Sequence, residues 1–174
     1  MIINPDLSLA EIKVKFSDSS QSFVDLVQPL SESNFAAKKS EVTWSIAEVL
    51  EHIFNSERLI GVVIAGRKSP SENRDSNLII SQVEEKFGSF EEKFQAFGPI
   101  IPSGKVTDKQ ELLSSIIENR EKILDNLNFE ELNHLCEKFT HPLFGKLTVI
   151  EWLNFILIHS GRHYKQIERL KSEF

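Results

Sequence analysis

Residues 148–170 read TVIEWLNFILIHSGRHYKQIERL. The stretch opens on a helix-start signal. Thr148 can accept from a backbone N–H three residues on, and Glu151 can reach back, which makes TVIE a capping box. Apolar residues then recur at helical spacing. Trp152, Ile156, Ile167 and Leu170 fall on one stripe, and His159 and His163 occupy its middle. The face that should be buried therefore carries two imidazoles one turn apart, close enough to point at one spot. Burying two polar rings in an apolar seam is costly unless something satisfies them. A metal ion is one such partner.

Three more segments carry the helical pattern. Residues 8–28 form a stripe of Ile12, Phe16, Phe23 and Val27, stopped by Pro29. Ser17, Asp18, Ser19 and Ser20 weaken the middle of that segment. Residues 31–43 are polar and read as a loop. Ser45-Ile-Ala-Glu48 is a second capping box and starts a helix to about Ala65. Its stripe runs Val49, His52, Ser56, Leu59 and Val63, so a third histidine falls on a core-facing position. Thr107-Asp-Lys-Gln110 reads as a third box, opening a helix to about Leu127. The middle, 66–106, is the least legible part. A short helix is expected over 77–87, and Gly98, Pro99, Pro102 and Gly104 forbid a long regular element after Phe94. Residues 128–147 are expected to hold one helical turn and then a turn-rich approach to the last helix. No strand pair, internal repeat or domain linker stands out. The pattern predicts an all-α chain: a single domain over 1–174, folded as a four-helix bundle.

Composition narrows the function classes. The 174 residues suit one domain with a sizeable core. Hydrophobic content of 40% and charged content of 26% fit an ordinary globular chain. The net charge of −6 leaves no basic footprint for nucleic acid and disfavours anionic membranes. No apolar run is long enough to span a bilayer, and the N-terminus shows no signal peptide. A lone cysteine, Cys136, excludes an internal disulfide and suits a reducing cytoplasm.

His159-Ser-Gly-Arg-His163 has H-x-x-x-H spacing, with about 6 Å of helical rise between the rings. It is not H-E-x-x-H: Ser160 stands where zinc proteases carry their general base. Three neutral imidazoles, His52, His159 and His163, can hold a divalent ion such as zinc, nickel or iron. Three protein ligands leave a position open, the pattern of catalytic zinc sites. Glu48 and Gln166 are candidate partners that fix an imidazole tautomer. Gly161 costs about 1 kcal/mol in a helix interior and is read as a site of tight packing. Arg162 and Tyr164 are expected to face away from the site. His141, before Pro142 in a turn, is read as a surface residue. His134 and Cys136 share no expected role.

Two blocks resemble a known family. WSIAEVLEHIFNSE at 44–57 matches W-S-x-x-E-x-x-x-H. HPLFGKLTVIEWLNFILIHSGRHYKQIERL at 141–170 matches H-P-x-x-G-x-L-T-x-x-E-W-x-x-F-x-x-x-H-x-x-x-H-x-x-Q-I. With TDKQELLSSIIENREKIL at 107–124 they resemble the DinB-like superfamily of metal-binding four-helix proteins. The resemblance implies an up-down-down-up bundle with a long crossover connection, a metal triad falling on His52, His159 and His163, and a homodimer. It further implies a small-molecule substrate. Relatives resemble enzymes that transfer a low-molecular-weight thiol to an electrophile, and many are described as metal-dependent hydrolases. The expected function is thus a metal-dependent thiol S-transferase, its pocket completed by other helices and by residues 66–106. The alternatives are a metal-dependent hydrolase of a small ester or amide, and a non-catalytic, stress-related metal-binding dimer. The lack of a carboxylate between His159 and His163 to shuttle protons favours the thiol reading.

Overall fold

The long helices begin on side chains that satisfy their first free amides. In the computed structural model, which describes residues 2–3, 7–88 and 94–173, Ser8, Ser45 and Thr148 each accept from the amide three residues on. Glu11, Glu48 and Glu151 return the bond. These boxes start α1 (Leu9–Val27), α3 (Ile46–Ile64) and α6 (Val149–Lys171). Helix α5 (Lys109–Asp125) starts one residue later than Thr107 predicts. Asp108 takes the cap, its Oδ1 accepting from the Glu111 N–H at 2.9 Å, because Asp is the stronger N-cap. The serines of α1 do not break it. Ser20 Oγ and Ser22 Oγ donate to the carbonyls four residues back.

Two short elements depart from the expected loops. Ser31 caps a one-turn helix α2 (Glu32–Ala36), which exists to bury Phe35. A two-residue antiparallel pair, β1 (Lys68–Ser69) with β2 (Leu135–Cys136), joins the crossover to the approach of α6. Strands this short carry no period for a sequence reading to detect. The expected helix over 77–87 is α4 (Ser76–Gly88), which packs on α6. One 3-10 turn, Phe129–Glu131, falls where a single turn was expected.

Side-chain pairs set the helix directions. Ile3 bonds Asn154, Phe23 packs on Tyr164 and Lys171 donates to the Leu26 carbonyl, so α1 and α6 run parallel. Lys13 pairs with Asp125, and Lys109 reaches the Gln28 and Leu30 carbonyls, so α1 and α5 are antiparallel. Glu57 lies beside Arg120, and Gly61 beside Ile123, so α3 and α5 are parallel. Helix α3 in turn lies against α6 with His52 beside His163 and Glu57 beside Ser160. The order is up-down-down-up. Two consecutive long helices that run parallel need a long crossover, here residues 65–108, with α4 inside it.

The apolar interior divides in two. One cluster gathers Phe16, Ile60, Ile123, Trp152 and Ile156, and the other Phe23, Val49, Ile53, Ile116 and Ile167. A polar layer crosses the bundle between them. Arg120 donates from Nε and Nη2 to the two Glu57 oxygens at 2.8 and 2.7 Å, from Nη2 to Ser160 Oγ at 3.0 Å and from Nη1 to Ser20 Oγ at 2.9 Å. Ser160 Oγ donates to Glu57 Oε1 at 2.7 Å. One guanidinium thereby ties all four long helices, at the level where α6 carries its histidines. Among the described residues no helix is long and apolar enough to cross a membrane.

Candidate metal centre

The capping box at Thr148 sets the rotation of α6, and with it the direction of His159 and His163. Their Nε2 atoms lie 3.1 Å apart. His52, one turn into α3 from its own box, brings its Nε2 to 3.4 Å from His159 Nε2. The three offer ligand atoms all within 4.8 Å of one another, and all three rings are buried.

The outer nitrogens are fixed by acceptors. The Ile100 carbonyl accepts from His52 Nδ1 at 2.7 Å, and Gln166 Oε1 accepts from His163 Nδ1 at 2.8 Å. Both hydrogens therefore sit on Nδ1, and both Nε2 lone pairs face His159. His159 Nε2 holds at most one hydrogen and can satisfy only one of them. His159 Nδ1 is buried without a partner. A cation shared by three Nε2 atoms removes the conflict. With metal–nitrogen bonds of about 2.0–2.1 Å and tetrahedral angles, ligand nitrogens stand about 3.4 Å apart, which the two close pairs match. The donor set fits a divalent ion.

Electrostatics agree. Burial pushes the His52 imidazole below its ordinary pKa, against the opposing pull of the Ile100 carbonyl. Burial, then the neighbouring His163 and His52, holds His159 well below the usual range. Burial and His52 lower His163 to about 3. All three rings stay neutral at pH 7, as metal ligands must be.

Gln166 therefore has the tautomer-fixing role read from sequence, and Glu48 does not. The Glu48 carboxylate caps Ser45 and pairs with Lys38 at 2.8 Å. The partner of His52 is a backbone carbonyl, held in place by a residue without a sequence signature. Glu51 accepts from the Ser103 and Gly104 amides at 2.9 and 3.0 Å, and so anchors the turn that carries Ile100. Gly104 has φ +69° and a Cβ there would meet Glu48 Oε1 at 3.0 Å, so the turn needs glycine.

The triad forms part of the wall of a cavity of about 600 Å³. Trp44 stands 4.9 Å from the His52 ring, and Phe155 stacks on His159 at 5.6 Å. Three sequence readings are corrected here. His141 is not a surface residue: it is 9% exposed, stacks on Phe144 at 4.8 Å and lines the same cavity. The hairpin closed by His141 and Gly145 folds the ring inward, and burial lowers its pKa to about 4. Arg162 does not face away: it lines the cavity with its guanidinium 5.3 Å over the Phe94 ring. Gly161 is no packing site, since a Cβ there would meet nothing within 4 Å. Tyr164 does face elsewhere, against Phe23. Cys136 is buried, and burial raises its thiol to about 11, an unreactive value. From the crossover, Phe87, Pro99 and Ile100 line the cavity; residues 89–93, also within the expected pocket-lining stretch, lie outside the described residues.

The uncharacterized protein YuaE of Bacillus subtilis (strain 168) is 26% identical over 151 residues, covering 83% of this chain and 87% of that one. The structure of YfiT from Bacillus subtilis, described as a "probable metal-dependent hydrolase with an unusual four-helix bundle topology", superposes with a TM-score of 0.62 at 14% identity. It covers 99% of this chain and 93% of that one. At that identity the likeness establishes the bundle alone. The family model of the DinB superfamily matches residues 15–167, a span that takes in all three histidines, and the chain belongs to that superfamily.

Proposed function

We propose that this protein is a metal-dependent enzyme that transfers a low-molecular-weight thiol to an electrophilic small molecule. One observation carries the reading. Three Nε2 atoms converge in the wall of an apolar cavity that no Asp or Glu lines among the described residues. A divalent ion held by His52, His159 and His163 would supply Lewis-acid chemistry, lowering the pKa of a bound thiol or water. The chain's own groups do the rest. The Ile100 carbonyl and Gln166 keep the rings in the ligating tautomer. Trp44 and Phe155 exclude water on two sides of the triad. The apolar walls seat the electrophile. A thiolate needs no general base once formed, so a described lining without a carboxylate is no handicap to this reaction.

Hydrolysis of a small ester or amide is the second reading. His141 favours it, as a neutral imidazole on the same cavity wall that can relay a proton. The description of YfiT supports it too.

Elemental analysis of the purified protein beside His52→Ala and His163→Ala tests the metal site. Near-stoichiometric zinc, nickel or iron, lost in both variants, is the expected result. A parent that takes up none of them removes both enzyme readings. Thiol consumption against a panel of electrophiles, beside release of acid from esters, then separates the two reactions.

A further inference from the structure

Outside the triad, two buried rings of the cavity wall, His141 and Trp152, lie 6.0 Å apart. The Leu143 N–H donates to His141 Nδ1 at 3.2 Å. The hydrogen of that ring therefore sits on Nε2, and His141 is left as a donor. Trp152 Nε1–H can only donate, and it is buried without a hydrogen-bond partner. Lys138, on the same lining, is cationic and a donor only. Ser56 Oγ is buried and unpartnered as well. The cavity rim is apolar and open: Val62, Phe97, Phe139 and Leu143 are each at least 40% exposed and line it. Exposed large apolar groups gathered at one opening mark a binding surface.

We propose that the cavity binds an apolar small molecule headed by a carboxylate. The head lies toward the donors His141, Trp152 and Lys138, and the chain lies along the apolar walls to the rim. A ligand cation or a ligand N–H set against these donors finds no acceptor in them, a cost of the kind that sets specificity. A volume of about 600 Å³ falls in the range of small-molecule sites and has room for a chain of about ten carbons. This inference rests on reading the cavity as the substrate site of the proposed enzyme.

The test uses three probes of equal chain length, decanoate, decanol and decyltrimethylammonium, below their micelle concentrations. The two tryptophans, Trp44 and Trp152, both line the cavity, so intrinsic fluorescence reports occupancy. Titrations are run on the full chain after chelation of metal. Decanoate is expected to bind saturably and about tenfold tighter than decanol, the factor that a charge-assisted hydrogen bond supplies, with the ammonium weakest. Lys138→Met, an exposed position that should not disturb folding, is expected to shrink the lead of decanoate over decanol by about threefold. His141→Phe should shrink it further, with helicity by circular dichroism as the control. Equal affinities, a tighter ammonium, or no saturable response to any probe overturns the proposal. Because the titrations need no ion, a protein that ranks the probes as expected but takes up no metal loses only the enzymatic reading. A protein that takes up metal but ranks them otherwise loses only this one.

Discussion

His52 Nδ1 donates to the Ile100 carbonyl at 2.7 Å, across 48 residues of sequence. The contact exists because Glu51, the residue before His52, accepts two amides from the same turn. Neighbouring positions on α3 thus supply a candidate ligand and the clamp for its orienting group. Glu51→Ala should leave the bundle folded and weaken metal binding about tenfold, the usual cost of removing an outer partner of a ligand. Competition against a chelating dye reads the affinity, and an unchanged value would show that the turn holds itself.

The Arg120–Glu57 pair is almost fully buried. Arg120→Ala leaves the Glu57 carboxylate uncompensated between the two apolar clusters, and should cost about 3–5 kcal/mol. Combining Arg120→Met with Glu57→Gln should cost clearly less, because no charge is stranded. Urea unfolding of the three proteins checks the order. A single variant as stable as the double would mean that water reaches the layer.

Four buried histidines set the pH response of the metal-free protein. His52, His141, His159 and His163 all have folded pKa values below the ordinary value, with His141 at about 4 and His163 at about 3. The unfolded chain therefore binds more protons than the native one below pH about 6.5. Stability is fully present above that pH and declines as pH falls toward 4 and 3. The urea midpoint of chelated protein should drop between pH 7 and pH 5.5. A flat profile would indicate rings that charge freely in the folded state.

Glycine substitutions should divide by position. Gly161 is exposed within α6 with open space around its Cβ position. Gly161→Ala should therefore stabilise by about 0.5–1 kcal/mol without changing metal content. Gly104→Ala should destabilise, since φ is +69° and the Cβ meets Glu48. Thermal melts of both variants decide it, and a destabilised Gly161→Ala would point to an unseen packing partner.

Chelation should cost little helicity. The bundle is held by two apolar clusters and the Arg120 layer, so an ion would add binding energy to a site already formed. Circular dichroism before and after chelation tests this, and a collapse would mark a structural ion.

Local pattern along the chain was enough for the four long helices, their caps at Ser45 and Thr148, and the inward faces that carry His52, His159 and His163. Those features are local. A 3.6-residue period and a side chain three positions from its own cap are visible without knowing what lies opposite. Gln166, one turn past His163, was legible for the same reason. The tertiary structure alone decided that Ile100 orients His52, that Glu51 holds Ile100, that His141 is folded under the rim and that Arg162 lines the cavity. Each of these depends on the crossover or the hairpin before α6 reaching across the bundle, where the contacts are backbone amides and carbonyls present at every residue and marked by no particular letter. Arg120 is the intermediate case. Its position on α5 could be read, but its burial follows from Glu57, Ser20 and Ser160 meeting it from three other helices. Only the packed bundle brings those partners to one point.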